Sequence, residues 1–183
     1  EESGQEEIAM TSPKPGSRVV VSIRVPCSPI HAFEVFVEEI GDWWADSELF
    51  RFTPRSPGVM AFQPPDDHGR NGRLIERLPN GKEFEIGDIR HWTPGERLVV
   101  GWRHATFGPD HATEVEVRFE PVGPGNEETR VTVEHRGWDS VPLDHLARHG
   151  FPLVLHQQRQ GERWRAGLER IRRNISANPS RTL

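Results

Sequence analysis

The chain has 183 residues, with 28 acidic and 23 Lys and Arg side chains for a formal net charge of -5. That length suits one domain with a sizeable core, and the negative balance argues against a nucleic-acid phosphate backbone as partner, which requires a basic face. The single cysteine, Cys27, has no internal partner for a disulfide, and no apolar run approaches the length of a membrane span or a signal peptide. The expectation is a cytoplasmic protein without a membrane partner.

Residues 1–17 are rich in Glu, Ser, Gly and Pro and read as a disordered N-terminal tail. Val19, Val21, Ile23 and Val25 then alternate with other residues, which predicts a half-buried strand over Arg18 to Val25. Ser28-Pro29 is an N-cap followed by a proline fit for the first helical position. Phe33, Phe36, Val37 and Ile40 form the apolar face of that helix, with Gly41 expected to end it and Trp43-Trp44 at its exit.

Short strands are predicted over Gly58 to Phe62 and Gly72 to Leu78, with a hairpin turn at Asn80-Gly81. In the next strand, Lys82 to Trp92, the apolar phase shifts between Ile86 and Ile89, so a bulge is expected at Gly87. Strands follow over Arg97 to Phe107, Thr113 to Pro121 and Thr129 to Trp138. In the middle one Val115, Val117 and Phe119 face inward, and Glu114, Glu116, Arg118 and Glu120 face water. After an irregular stretch, a long helix is predicted from Pro152 to about Ile175, with Trp164, Leu168, Ile171 and Ile175 as its apolar stripe. Residues 176–183 read as a polar tail.

The expected fold is α+β: an antiparallel sheet closed over by the long C-terminal helix, in one domain spanning residues 18–175. Stepping the stripe back from Trp164 reaches Gln160, Gln157 and Leu153. Two inward amides imply a polar or ligand-filled space at that end, unless the helix simply emerges into solvent there. Trp102 and His104 share one side of their strand and His135 lies on the apolar side of the last strand. Trp102, His104, His135, Gln157, Gln160 and Trp164 are therefore the candidate ligand-binding residues, the alternative for each histidine being a satisfied place in the core. His145 and His149, with Asp144 and His156 nearby, lack the spacing of a known metal site, and no phosphate loop or nucleophile elbow is present. No metal and no cofactor is expected, and no catalytic residue is assigned. The arginines at 159, 163, 165, 170, 172 and 173 read as the solvated face of the long helix.

Phe33 to Phe36 with Trp43-Trp44, Gly87-Asp88-Ile89, Arg97 to Trp102, Thr113 to Val117 and Thr129 to His135 together resemble the START-like ligand-binding superfamily. Within it they are most similar to the branch named for the activator of the Hsp90 ATPase. The resemblance covers about Val19 to Ile175 and implies a helix-grip fold with a small-molecule cavity. It does not fix one activity, because the superfamily holds binders of hydrophobic molecules, polyketide cyclases and chaperone activators. The run Leu98 to Gly108 with Thr129 to His135 is further similar to self-sacrifice resistance proteins of enediyne producers, in which a glycine beside the bound drug is cleaved. Gly101 and Gly108 are candidates for such a glycine by position alone. The leading expectation is binding of a hydrophobic or aromatic small molecule, with antibiotic sequestration as one role. The alternatives are a cyclase- or hydrolase-type enzyme using a cavity histidine and a chaperone-associated interaction domain.

Overall fold

The computed structural model describes residues 16–44, 51–53 and 58–178. Seven strands form one antiparallel sheet: β1 (Arg18–Val25), β2 (Val59–Gln63), β3 (Arg73–Arg77), β4 (Glu83–Thr93), β5 (Arg97–Trp102), β6 (Thr113–Val122) and β7 (Glu128–Arg136). Their order is β1-β7-β6-β5-β4-β3-β2, so the strands from β2 onward pair with their chain neighbours and β7 returns to meet β1. The helices are α1 (Pro29–Glu38), α2 (Ile40–Trp43) and α3 (Leu153–Ala177).

The register explains which side chains are inside. Val19, Val21 and Ile23 of β1 lie opposite His135, Val133 and Val131 of β7. The same three β7 residues face Val115, Val117 and Phe119 of β6. These rows point at α3, whose Trp164, Leu168, Ile171 and Ile175 join them in one buried core. Because side chains alternate along a strand, the opposite rows face outward. There Ser22 and Thr132 share a hydrogen bond of 2.8 Å, and Arg136 pairs with Glu114 at 3.0 Å and Glu116 at 2.7 Å.

Several expectations need correction. Glu116, expected in water, is only 8% exposed. Burial works against its charge, but hydrogen bonds from Arg97 and Arg136 outweigh that cost and hold its carboxyl below the usual range. Gly41 does not end α1. That helix closes where Glu39 N–H donates to Val35 O, and Gly41 lies inside α2. A Cβ at Gly41 would come within 2.9 Å of Val59 Cγ1, so this glycine serves the approach to β2. β5 stops at Trp102 rather than Phe107 because its partner β6 begins opposite it, at Thr113. Beyond that point Arg103 N–H turns to Ile86 O and Ala105 N–H to Phe52 O. Likewise β7 ends at Arg136, where Gly137 adopts a left-handed φ of 97° and Trp138 enters a 3-10 turn.

The bulge falls where expected. Leu74 opposes Gly87 while Ile75 opposes Glu85, leaving Ile86 as the extra residue. A Cβ on Gly87 would sit 1.7 Å from Gly101 O, so only glycine admits this crossing of β4 and β5. A second shift at Arg90, between Ile89 and His91, had no sequence signal.

The N-terminal tail lies outside the described residues except for Gly16 and Ser17, and Ser17 Oγ donates to Asp139 Oδ1 at 3.0 Å. Residues 179–183 of the C-terminal tail also lie outside, whereas Ser176 and Ala177 continue α3.

Candidate ligand site

The inward row of α3 extends back from Trp164 through Gln160 to His156, which are 3% and 0% exposed. The spacing is four and four, rather than the step of three to Gln157 expected from the stripe. Gln157 instead turns to the sheet edge and donates to Arg18 O at 3.4 Å. His156 is thus the inward residue that sequence reasoning missed. Its signal was present as the i-8 position from Trp164, but a 3.6-residue period admits 156 and 157 equally.

At this end of the sheet the buried polar groups form a directed chain. Trp164 Nε1 can only donate, and it lies 3.2 Å from His135 Nδ1. His135 Nδ1 is therefore the acceptor, so the ring proton sits on Nε2, 3.1 Å from Thr113 Oγ1. Thr113 in turn donates to Trp102 O. Both nitrogens of His135 are used, and its ring is fully buried. Burial, reinforced by the His104 and His156 rings, pushes its pKa down to about 3. It is a neutral strut between α3 and the sheet.

The rings around this chain are tightly grouped. Trp102 lies 5.1 Å from Trp44, 5.3 Å from both Phe52 and Trp164, and 5.7 Å from His135, measured between ring centroids. Trp138 packs on His156 at 4.3 Å. The structure so brings together Trp102, His135, Gln160 and Trp164, all nearly inaccessible, and leaves Gln157 outside the group.

His104 occupies the boundary of this cluster. It leaves the sheet in the loop after β5 but is only 5% exposed. Phe107 stacks on it at 5.4 Å, and Phe52 lies 5.5 Å away. Burial, then the His149, His156 and His145 rings, lower its pKa to about 4. Beside it is a cavity of about 200 Å³ lined by Arg51, Phe52, Thr106, Leu146, Ala147 and His149 together with His104 itself. Of the six sequence candidates, His104 alone is among these lining residues. One wall comes from the segment between β7 and α3, which carries its own small core of Trp138, Val141 and Ala147. Arg148 ties that segment together by donating to Val141 O at 2.8 Å and Phe151 O at 2.7 Å.

A second cleft, of about 140 Å³, opens between β4 and β5 and is lined by Gly87, Arg90, Gly101, Trp102 and Arg103 among others. A Cβ at Gly101 would point at Asp88 and Arg90, on the outward side of the sheet, while one at Gly108 would lie 3.8 Å from the His111 ring. Cys27 is buried, which pushes its thiol up to about 11 and makes it a poor nucleophile. His145 has both nitrogens engaged, with Thr106 O and Ala147 N–H. Among the described residues no three His, Cys, Asp or Glu side chains converge as metal ligands, and no helix is long and apolar enough to cross a membrane.

Comparison with solved structures places this architecture. The self-sacrificing resistance protein CalC from Micromonospora echinospora is 27% identical, with a TM-score of 0.55 over 88% of this chain and 95% of that one. The protein MLL2253 from Mesorhizobium loti shares the fold at 16% identity, with a TM-score of 0.57 over 88% of this chain and 98% of its own. The anthrahydroquino-γ-pyrone synthase Txn09 is 31% identical over 77% of this chain and 84% of that one, with a TM-score of 0.44. No curated protein matches the chain. Residues 34–161, which carry β2 to β7 and the first turns of α3, match the model of the Activator of Hsp90 ATPase homolog 1-like protein family. The chain belongs to that family and has its helix-grip fold.

Proposed function

We propose that this protein binds a hydrophobic, aromatic small molecule at the end of the domain marked by His104, and that it acts by sequestering it. The observation that carries this reading is the cavity of about 200 Å³ set directly against the ring cluster. A cavity of roughly 150 Å³ lined by apolar side chains is already large enough for benzene. Phe52, Leu146 and Ala147 offer apolar wall, and His104 and Thr106 offer polar handles. Such a mix of mostly apolar lining with a few polar groups is what small-molecule sites use. The likeness to CalC, a self-sacrificing resistance protein, supports a molecule of antibiotic type.

Binding is favoured over catalysis by the state of both candidate histidines. Burial lowers the pKa of His104 to about 4, far below that of an effective general base near pH 7, and His135 has no free nitrogen. Its two nitrogens are consumed by Trp164 and Thr113, which leaves it no lone pair with which to take a substrate proton. Trp102, Trp164 and Gln160 support the site from behind, and Gln157 has no part in it.

The test is native mass spectrometry of freshly purified protein, paired with a thermal-shift screen of aromatic and polyketide-like compounds. A compound present at a hundred times its Kd stabilises the native state by about 2.7 kcal/mol, which a thermal shift reads easily. Ala147→Leu, which fills the cavity wall, should abolish that shift. If no compound stabilises the protein and none co-purifies with it, the proposal fails.

A further inference from the structure

Among the described residues, one His104 ring nitrogen has no hydrogen-bond partner. The other is hydrogen-bonded to the backbone of Arg51, in a bond that favours the protonated ring. A bond of that sign has the ring as donor, so its partner is the Arg51 carbonyl and this nitrogen carries the proton. In a neutral imidazole the remaining nitrogen then bears only a lone pair. No other described residue hydrogen-bonds the ring, and His104 lines the cavity. The stacked Phe107 and the nearby Phe52 fix the ring plane, so the lone pair has one direction to face.

We propose that His104 sets the specificity of the cavity, its bare nitrogen accepting a hydrogen bond from the hydroxyl of a planar aromatic ligand, and that the ligand class is accordingly phenolic. This rests on the cavity reading given above. An acceptor without a proton discriminates by chemistry: a hydroxyl can donate to it, an ether or a hydrogen atom in the same place cannot. A buried acceptor left without a partner disfavours the wrong ligand as strongly as the bond favours the right one. The burial that keeps the ring neutral near pH 7 also keeps it an acceptor, because an imidazolium would present a donor there instead. A phenol oxygen retains lone pairs after donating, and the Thr106 hydroxyl on the same wall is a donor for one of them.

The experiment compares 2-naphthol with 2-methoxynaphthalene and naphthalene at pH 7, by calorimetric titration of the whole chain. The wild type should bind 2-naphthol at least about tenfold more tightly than either analogue. His104→Phe, which keeps a ring and removes the nitrogens, should bind naphthalene as before and lose the preference for 2-naphthol. Nitrogen NMR of the wild type supplies a readout that needs no variant. The unprotonated His104 nitrogen should shift on adding 2-naphthol and stay in place with the methyl ether. Equal affinity of the wild type for all three compounds would overturn the phenolic specificity while leaving the aromatic cavity intact, as would a preference that survives in His104→Phe. Failure of the wild type to bind any of the three overturns this inference, and failure across the wider compound screen as well overturns the cavity reading beneath it.

Discussion

Acidification to pH 5 should cost this domain a third or more of its stability, well before its carboxylates titrate. Three histidines are held neutral in the native state, with pKa values lowered to about 4 for His104, about 3 for His135 and about 4 for His156. Burial is the leading cause for each, and all three side chains are at most 5% exposed. In the unfolded chain each would titrate near 6.5. A depressed native pKa means that the unfolded state takes up the proton first. The stability these residues contribute is therefore whole above pH 6.5 and is lost as the pH falls towards 4. Within that window three protons separate the two states, so the slope is about 4 kcal/mol per pH unit, each proton contributing about 1.4. From pH 7 to pH 5 the sum comes to about 5 kcal/mol, set against a total of about 5–15 for an ordinary domain.

Urea denaturation followed by tryptophan fluorescence at half-unit steps from pH 7.5 to 4.5 measures this directly. The midpoint should fall steeply below pH 6.5 at nearly constant m-value. Glu116, whose carboxyl titrates below its ordinary value of 4.5, adds its own loss only at the lower end of that range, so the two windows separate. His156→Gln should reduce the slope by about a third, one proton of three. A midpoint that stays flat between pH 7 and 5 would refute the buried neutral histidines outright.

Three further outcomes follow from the packing. Gly87→Ala places a Cβ 1.7 Å from Gly101 O, backbone against backbone, and should cost more than about 4 kcal/mol, seen as loss of soluble protein or of a cooperative melt. Trp164→Phe removes the Nε1 donor to His135 Nδ1 and shrinks a fully buried ring, for an expected loss of about 2–4 kcal/mol, read by denaturant titration. Arg136→Ala removes partners of Glu114, Glu116 and Glu134, yet its side chain is 38% exposed. Screening by solvent keeps its cost near about 1 kcal/mol, and the difference from wild type should shrink in high salt, as thermal melts at two ionic strengths would register.

What the sequence made legible was the part governed by local periodicity. β1 and the inward rows of β6 and β7 are alternations with one buried face, and they hold residue for residue. The bulge at Gly87 was readable because a change of apolar phase within a strand needs an extra residue to absorb it. The misplaced limits, by contrast, depend on partners distant in the chain. β5 stops where β6 starts, and Gly41 is a glycine because β2 passes over it. Glu116 alternates as a water-facing residue should, and only three-dimensional pairing brings Arg97 and Arg136 over it.

Of the candidate site, the sequence offered residue types but not their geometry, for a reason visible in α3. Leu168, Ile171 and Ile175 fix the helix face by apolarity alone, since each must be inside. Towards the N-terminal half the row turns polar, and polarity does not state a direction: Gln157 and His156 are equally able to face water. What decides between them is whether a partner waits inside. His156 has Trp138 at 4.3 Å, a ring supplied by the segment between β7 and α3, whereas Gln157 finds the Arg18 carbonyl at the sheet edge. The same logic separates the two histidines that the strand pattern had treated alike. His135 meets two partners and becomes a strut, with no bonding capacity left for a ligand. Among the described residues His104 meets one and lines the cavity, its other nitrogen without a partner. Chemical availability at this end of the domain is thus a matter of which hydrogen bonds the fold has already closed, and that is settled by tertiary contacts rather than by the order of residues along a strand.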